Sequence, residues 1–312
     1  MTEIVSLGSI NIDRVHRVTK STLTDLHANF EWFPESGDTV AVAETPAEFG
    51  DLPTTRFHGG KGANQAVAAA AAQAESMLLG KVGSDHADFD VLNTLRQSGV
   101  RVDQVGVTSA ETGTAHVFVT DDGENRIVVH AGANESVDST YISEQYEAIQ
   151  AAEYLLVQNE IPIAPVCDLL QTLATAESRP TVIVDPAPVA GVERVFDCRA
   201  VDIVTPNERE CERLRGALEA FDGTVIHTRG GNPVHVDNGT QFSVDPPDLP
   251  PVDTTGAGDT FTGFLGGRLA QGDSLREAVE SATVAGALSI QEAGARGAIP
   301  PYSAVQAWRA AE

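Results

Sequence analysis

The segment Asp253–Asp259 combines three small residues with an acid in an arrangement that can bind an anion. An apolar stretch from Phe261 to Leu269 follows it at helical spacing, which predicts a tight loop that opens into a helix. Such a loop directs several backbone N–H groups and the positive end of the helix dipole toward one point. Because Gly256, Ala257 and Gly258 carry no bulky side chains, a phosphate group can approach their backbone closely.

The acid at the mouth of this loop needs a separate explanation, because a carboxylate repels phosphate. The simplest one is phosphoryl transfer, in which the loop amides hold the charge on the transferred group and Asp259 takes the proton from an attacking hydroxyl. Helices that begin with glycines and an acid are also common as purely structural features. This segment alone leaves both interpretations open.

A second glycine-rich segment favours the catalytic interpretation. Gly59 and Gly60 precede Lys61, and Asn64 lies in the first turn of an alanine-rich stretch that predicts a helix. The two glycines allow a ligand to approach the backbone, and the Asn64 amide offers both a donor and an acceptor to hydroxyl groups. The spacing differs from that of a Walker A loop and from that of the dinucleotide-binding G-x-G-x-x-G motif.

Six segments together resemble the ribokinase branch of the PfkB sugar-kinase family, in the same order along the chain. They are Gly8–Asp13, Gly59–Asn64, His130–Asn134, Asp185–Pro188, Thr205–Glu208 and Asp253–Asp259. The similarity runs from residue 4 to about residue 300, and it is much more specific for the family than for the substrate. It implies a kinase that uses ATP and Mg²⁺ and acts on a small sugar or sugar phosphate.

The resemblance also implies a role for each matching residue. Asp259 is the expected base, and Gly256, Ala257 and Gly258 form the expected anion loop. The expected sugar-binding residues are Asn11, Asp13, Gly59, Gly60, Lys61, Asn64 and Glu160. The expected nucleotide-binding residues are Asn207, Glu210, Thr228 and Gly230, and the Asn-x-x-Glu pattern among them is associated with the placement of Mg²⁺ and phosphate.

A monovalent cation is a further expectation, and the sequence leaves it open. By the resemblance, Asp253 and Thr255 are the candidate K⁺ ligands. Ribokinases typically place a hydroxyl that helps to ligate the cation where this chain has Ala298. Whether K⁺ activates this chain is therefore an open question.

A cluster of cations directly after Asp13 bears on the substrate. Arg14, Arg17 and Lys20 fall within seven positions of a chain that has only 20 Lys and Arg residues in total. A cleft of one charge sign attracts a ligand of the other sign, and arginine pairs with phosphate bidentately. We therefore predict that Arg14 and Arg17 bind the substrate.

This cluster leads us to favour ribose 1-phosphate slightly over free ribose as the substrate, with ribose 1,5-bisphosphate as the product. The equally weighted alternative is that the cations pair with carboxylates across a dimer interface. A nucleoside kinase also stays open, because Phe30, Trp32 and Phe33 offer an apolar slot for a nucleobase. A non-catalytic sugar sensor is the least favoured function, since binding alone does not require Asp259.

Short apolar strands alternate with helical segments along most of the chain. Strands are predicted at 4–9, 76–82, 154–158, 181–185, 202–205 and 224–228, and helices at 61–73, 87–98, 164–176, 207–215, 259–271 and 274–292. This rhythm predicts an α/β fold with a doubly wound, mostly parallel sheet and helices on both faces. We expect one catalytic domain, residues 1–312, with its ligands beyond the carboxyl ends of the strands.

Two stretches, about 13–58 and 104–130, depart from this rhythm and contain β-type runs. The second predicts a hairpin that turns at 121–125. By the resemblance, the two stretches form a small lid sheet over the sugar. Because an isolated small sheet is marginally stable and family members often dimerise through it, we expect a homodimer through the lid.

Composition and charge exclude several partners. A formal net charge of −25 at pH 7 argues against nucleic acid. The chain has no run of 18 apolar residues, and its start leads directly into a predicted strand, so we expect no membrane span, no signal peptide and a cytoplasmic location. Cys167, Cys198 and Cys211 are scattered and odd in number, which favours reduced thiols.

The acidic composition also predicts a habitat. Lys20, Lys61 and Lys81 are the only lysines in the sequence, and all other cationic residues apart from histidine are arginines. We interpret this composition as an adaptation to molar salt, where repulsion between carboxylates is screened within about 3 Å. An acidic protein from ordinary conditions is the alternative.

The halophilic interpretation predicts that the folded state depends on molar KCl or NaCl. The melting temperature should rise as salt increases from low to molar concentration, because screening removes the repulsion among the excess carboxylates. Thermal unfolding followed by circular dichroism at several salt concentrations measures this. A melting temperature that stays flat or falls with salt would reject the interpretation.

Overall fold

The computed structural model describes residues 2–36, 38–121 and 124–311. In chain order the strands are β1 (Ile4–Leu7), β2 (Asn11–Arg17), β3 (Thr39–Val42), β4 (Thr55–Gly59), β5 (Ser76–Leu79), β6 (Lys81–Val82), β7 (Gly106–Val107), β8 (Gly113–Val119), β9 (Asn125–His130), β10 (Tyr154–Gln158), β11 (Thr181–Asp185), β12 (Val201–Val204), β13 (Thr224–Arg229), β14 (Asn232–Asp237) and β15 (Gln241–Val244).

The helices alternate with these strands over most of the chain. They are α1 (Lys20–Asn29), α2 (Lys61–Ala71), α3 (Val91–Gln97), α4 (Ser139–Glu144), α5 (Tyr146–Gln150), α6 (Ile163–Leu173), α7 (Glu193–Phe196), α8 (Glu208–Arg213), α9 (Arg215–Glu219), α10 (Ala257–Ala270), α11 (Leu275–Ser289) and α12 (Tyr302–Arg309). Short 3₁₀ helices lie at Ala47–Asp51 and Gly132–Ser136. No helix within the described ranges is both long and apolar enough to cross a bilayer.

The large sheet has eight strands in the order β15-β14-β13-β12-β11-β10-β1-β5. The strands from β13 to β5 pair in parallel, and β14 and β15 add an antiparallel edge. Alternate residues of each central strand enter different cores: Val5 and Leu7 face one core, whereas Ile4 faces the other. Both faces are therefore covered by helices, and the predicted doubly wound α/β fold is confirmed.

Helices α2 and α10 pack against each other at an unusually short distance on one face of this sheet. A Cβ atom at Gly263 of α10 would lie 2.4 Å from the Gln65 carbonyl oxygen and 2.5 Å from the Ala68 Cβ. A residue with a side chain at that position would push the helices apart. The close contact sets the first turn of α2 beside the first turn of α10.

The lid is a five-stranded sheet in the order β3-β9-β8-β2-β4. Its strands come from both stretches in which the sequence predicts β-structure, and β8 and β9 pair antiparallel as a hairpin. The predicted turn at 121–125 includes residues 122 and 123, which lie outside the described residues. Helix α1 lies in the first of these two stretches and was missed by the sequence analysis, although Thr19 caps it through its side chain.

Candidate active site

The predicted anion loop forms the start of α10. Gly256 precedes the helix with a φ of 79°, in the left-handed region, and a Cβ atom there would lie 2.5 Å from that of Ala295. Ala257 and Gly258 begin the helix, and the position of a Cβ at Gly258 is open space. Because the first N–H groups of a helix have no acceptor within it, this turn offers its amides to an anion.

Asp259 is buried at the third position of α10, with 4% of its surface exposed. Its Oδ2 accepts a hydrogen bond from Asn64 Nδ2 at 2.9 Å, and its Oδ1 lies 3.5 Å from Lys61 Nζ. The structure therefore brings together the two glycine-rich segments that the sequence analysis combined. A carboxylate held by these two donors is oriented to accept a proton from a ligand in the cleft.

Lys61 links Asp259 to a second buried carboxylate. Its Nζ lies 3.4 Å from Asp185 Oδ2, which also accepts from Gln65 Nε2 at 3.0 Å. Burial disfavours the charged ammonium, but four carboxylates, Asp185 first, together more than offset it, so the pKa of Lys61 is raised well above its usual value. Asp185 belongs to one of the segments that carried the resemblance, yet the sequence analysis gave it no role.

The expected sugar-binding residues Asn11 and Asp13 lie on β2, at the junction of the lid and the large sheet. Asn134 Nδ2 donates to Asn11 Oδ1 at 2.7 Å, and Asn134 Oδ1 accepts from the Ile10 N–H at 2.9 Å. Asn134, which sequence reasoning did not single out, thereby fixes the orientation of the Asn11 amide. Gly59 faces Asp13 so closely that a Cβ atom would lie 2.1 Å from Asp13 Oδ2.

Glu160 completes this side of the cleft. Its Oε2 accepts from Ser9 Oγ at 2.5 Å and from the Lys61 N–H at 3.2 Å, directly after Gly60 at the start of α2. Burial, reinforced by the negative charge of Glu160, raises the pKa of Asp13 to about 7. Asp13 therefore changes its ionisation close to neutral pH.

Arg296 is a cleft residue that the sequence analysis missed. It is 6% exposed, and its Nη2 and Nε donate to the Gly59 carbonyl oxygen at 2.5 Å and to Asn64 Oδ1 at 3.4 Å. Burial lowers the pKa of Arg296 to about 10, which still leaves it charged at neutral pH. The available signal was a single arginine in a run of small residues, 293–298, next to the anion loop.

The structure does not bring Arg14 and Arg17 to Asp13. Successive side chains of a strand point to opposite faces, and Arg14 pairs in register with His116 on the face that α1 covers. Arg14 therefore lies on the opposite face of the lid sheet from Asp13, and its role in substrate binding stays a prediction. Arg17 is exposed and lies four residues, or about 13 Å, further along β2 than Asp13, outside the buried part of the cleft.

The expected nucleotide-binding residues meet at the carboxyl ends of β12 and β13. Asn207 Oδ1 accepts from the Glu210 N–H at 3.0 Å and Glu210 Oε2 accepts from the Asn207 N–H at 2.8 Å, which forms a capping box for α8. Thr228 and Asn207 form an isolated parallel β-bridge, and Gly230 follows in the turn to β14. Glu210 also acts electrostatically on Lys61, so it belongs to the same cleft.

The candidate cation ligands lie beside the anion loop. The Asp253 carboxylate accepts from the N–H groups of Thr255 at 3.0 Å and Gly294 at 2.9 Å, which ties the loop to the segment containing Arg296. Over the described part of the chain, no group of three or more His, Cys, Asp or Glu side chains could hold a metal ion. The Glu210 carboxylate, oriented by its hydrogen bonds to Asn207, is the kind of oxygen ligand that holds Mg²⁺ directly or through its waters.

Comparison with known proteins identifies the family. The sequence model of the pfkB family carbohydrate kinases matches residues 51–301. The ribokinase of Bacillus subtilis (strain 168) is 35% identical over 297 residues, which cover 93% of this chain and 97% of the relative.

Two solved structures have the same fold. The Arabidopsis thaliana ribokinase complexed with ribose and ATP superposes with a TM-score of 0.79 at 27% identity, over 98% of each chain. The adenosine kinase of Sinorhizobium meliloti superposes with a TM-score of 0.84 over 100% of this chain and 99% of its own. At 20% identity, this second likeness concerns the fold alone.

The site and the comparisons agree on the chemistry. A buried carboxylate faces an anion-binding helix start, which suits the transfer of a phosphoryl group to a hydroxyl. The family model covers most of the chain, and the Bacillus subtilis relative matches nearly its whole length. The chain therefore belongs to the pfkB family of carbohydrate kinases and is a phosphotransferase with an alcohol group as acceptor.

Proposed function

We propose that this chain transfers the γ-phosphoryl group of ATP to the 5-hydroxyl of a ribose-type pentose. The observation that carries the proposal is the position of Asp259, buried at the start of α10 and held by Asn64 and Lys61. Both partners belong to the segment that also borders Asp13 through Gly59. One acceptor molecule can thus contact the base at one end and the diol-binding carboxylates at the other.

The reaction follows from this arrangement. Asp259 accepts the proton of the acceptor hydroxyl as its oxygen attacks the γ-phosphorus, and ADP leaves with the electrons of the broken P–O bond. The amides of the Gly256–Gly258 turn stabilise the negative charge on the transferred group. Lys61 Nζ, 3.5 Å from Asp259 Oδ1, helps to hold that carboxylate in position.

The nucleotide would lie along Asn207, Thr228 and Gly230, at the ends of the neighbouring strands. Mg²⁺, when bound with ATP, neutralises phosphate charge, and Glu210 and Asn207 are the side chains that would hold it through its waters. For K⁺, Asp253 and the Thr255 carbonyl remain the candidate ligands. The Asp253 carboxylate already accepts two backbone hydrogen bonds, which orients it whether or not a cation is bound.

The acceptor is best explained as a ribose-type sugar. The relative with 35% identity is a ribokinase, and the Arabidopsis protein of the same fold binds ribose and ATP. In this chain, Asn11, Asp13 and Glu160 present one amide and two carboxylates to the acceptor, which suits adjacent hydroxyl groups. This supports a polyol substrate over an apolar one.

A nucleoside is disfavoured by the position of the lid aromatics. Phe33 packs edge-on against Phe118 with ring centroids 5.2 Å apart, and Phe30 packs against Phe49 at 6.0 Å. Phe118 lies on the face of the lid that α1 covers, opposite Asp13. These rings therefore form a lid core instead of a nucleobase slot. Ribose 1-phosphate, which the sequence analysis slightly favoured, becomes the second candidate, because Arg14 lies on the opposite face of the lid from Asp13. Arg296 is a buried cation in the cleft that would pair with its phosphate.

We also propose that the protein is a homodimer through its lid. Val15, Val117, Ile127 and Val129 share the face of the lid that carries Asp13, and all four are only half-buried. Sedimentation velocity should give twice the mass of one chain, and Val117→Asp should give a monomer by placing a charge in the interface. Val107→Asp, at an exposed valine of β7, is the control that should stay dimeric.

The assignment of the base predicts the kinetics of Asp259→Asn. The amide cannot accept the proton, so kcat should fall by at least the roughly 10²-fold typical of losing a general base. Sugar affinity should change little, because Asp13 and Glu160 remain. A coupled ADP-release assay measures the rate, and Asp248→Asn, an exposed acid before the same loop, should behave as wild type. Turnover close to normal in Asp259→Asn would contradict the assignment of Asp259 as the general base.

The acceptor assignment predicts the substrate preference of the wild-type protein. In the same assay, in high KCl, kcat/KM for ribose or ribose 1-phosphate should exceed that for fructose and for nucleosides by more than about tenfold, since a mismatched polar group costs roughly 1.5 kcal/mol or more. A higher value for the phosphorylated sugar would identify a 1-phosphate subsite. Equal turnover of nucleosides, or no sugar-dependent ADP release at all, would contradict the proposal.

A further inference from the structure

Arg296 has a feature that the structure of the protein alone does not account for. Its Nη1 is buried and has no hydrogen-bond partner anywhere in the described residues. The same guanidinium lies between Gly59 and Asn64, and the charges of Asp13 and Asp259 act on it. An N–H group that is buried without a partner is costly, and more so on a charged side chain.

Arg268 is an equally buried arginine outside the cleft, and the protein itself satisfies all of its nitrogens. Arg268 is 7% exposed, and its Nε and Nη2 each donate to Asp273 at 2.8 Å. Its Nη1 donates to the Ala72 carbonyl oxygen at 3.2 Å, and its guanidinium lies over the Tyr302 ring. All three nitrogens of Arg268 are thus satisfied, whereas Arg296 keeps a donor free inside the cleft.

We propose that Arg296 binds the substrate: its free Nη1 donates to an acceptor oxygen on the Asp13 side of the cleft, while its Nε holds Asn64 in place for Asp259. The inference rests on the proposed function, since it names a contact of that same acceptor. A carboxylate and a guanidinium on either side of one sugar are complementary. Asp13 accepts hydrogen bonds from hydroxyl groups, and Arg296 donates hydrogen bonds to their oxygens.

The contact also gives Arg296 an electrostatic role toward Asp13. Burial and Glu160 raise the pKa of Asp13, Asp259 adds to this effect, and Arg296 opposes it. Removing the charge of Arg296 therefore raises the pKa of Asp13 further. Because an ionised carboxylate is the better acceptor for two hydroxyl groups, the loss of sugar affinity on acidification should begin at a higher pH in a variant without that charge.

Two kinds of substrate oxygen share this chemistry, namely the hydroxyls of a free pentose and a phosphate ester at its C1. The variants Arg296→Gln and Arg296→Lys distinguish them when kcat/KM and calorimetric Kd are measured with ribose, 2-deoxyribose and ribose 1-phosphate. A larger loss for ribose than for 2-deoxyribose assigns the contact to the 2-hydroxyl. A larger loss for ribose 1-phosphate than for ribose assigns it to the phosphate.

For Arg296→Gln we expect a loss of affinity of more than about tenfold for the contacted substrate, as is typical of a charge-assisted hydrogen bond. The pH at which sugar affinity is lost on acidification should be higher than in the wild type. Arg296→Lys should return it to the wild-type pH, because lysine restores the charge. Arg268→Gln is the matched control, because it removes an equally buried arginine outside the cleft. Its melting temperature should fall, while its sugar Kd and the pH at which its sugar affinity is lost should stay at the wild-type values.

The proposal is overturned if Arg296→Gln binds all three sugars with wild-type Kd, or if Arg268→Gln reproduces its losses. A wild-type protein that releases ADP with none of the sugars would instead reject the proposed function. The two failures are therefore distinguishable in one set of measurements.

Discussion

The close contact between α2 and α10 is the constraint on which the active site depends. Gly263 lets the two helices approach until the second turn of α10 touches the Gln65 carbonyl oxygen and the Ala68 side chain. The first turns of both helices then meet, and Asn64 reaches Asp259 at 2.9 Å. Because two rigid helices carry the base and its hydrogen-bond donor, their relative geometry is fixed by packing and not by a mobile loop.

Each of the two cations in the cleft interacts with two carboxylates. Lys61 lies between Asp185 and Asp259, and Arg296 lies where Asp13 and Asp259 both act on it. Burial is the largest cause that raises the pKa of Asp13 and that of Asp185, each to about 7. Arg296 opposes this effect on Asp13, and Lys61 opposes it on Asp185.

Much of the fold could be predicted because its signals are local. Strands β10 and β11 begin and end where their short apolar runs predict, and α10 starts at the glycine turn that precedes Asp259. The faces of the lid could not be predicted in this way. Arg14 follows Asp13 directly in the sequence, and proximity along the chain suggested a shared role, but adjacent residues of a strand point to opposite faces.

The segments between β2 and β4 cover one face of the lid sheet. Helix α1 and the 3₁₀ helix at Ala47–Asp51 cover the face that carries His16, His116 and Phe118. His16 Nε2 lies 2.9 Å from His116 Nδ1, and burial lowers the pKa of both rings, so they pack as neutral groups. Phe30 and Phe33, which the sequence analysis considered for a nucleobase slot, therefore pack into the core of this face of the lid. Asp13 lies on the opposite face of the lid, where the charge of Arg296, from the segment that follows α11, acts on it.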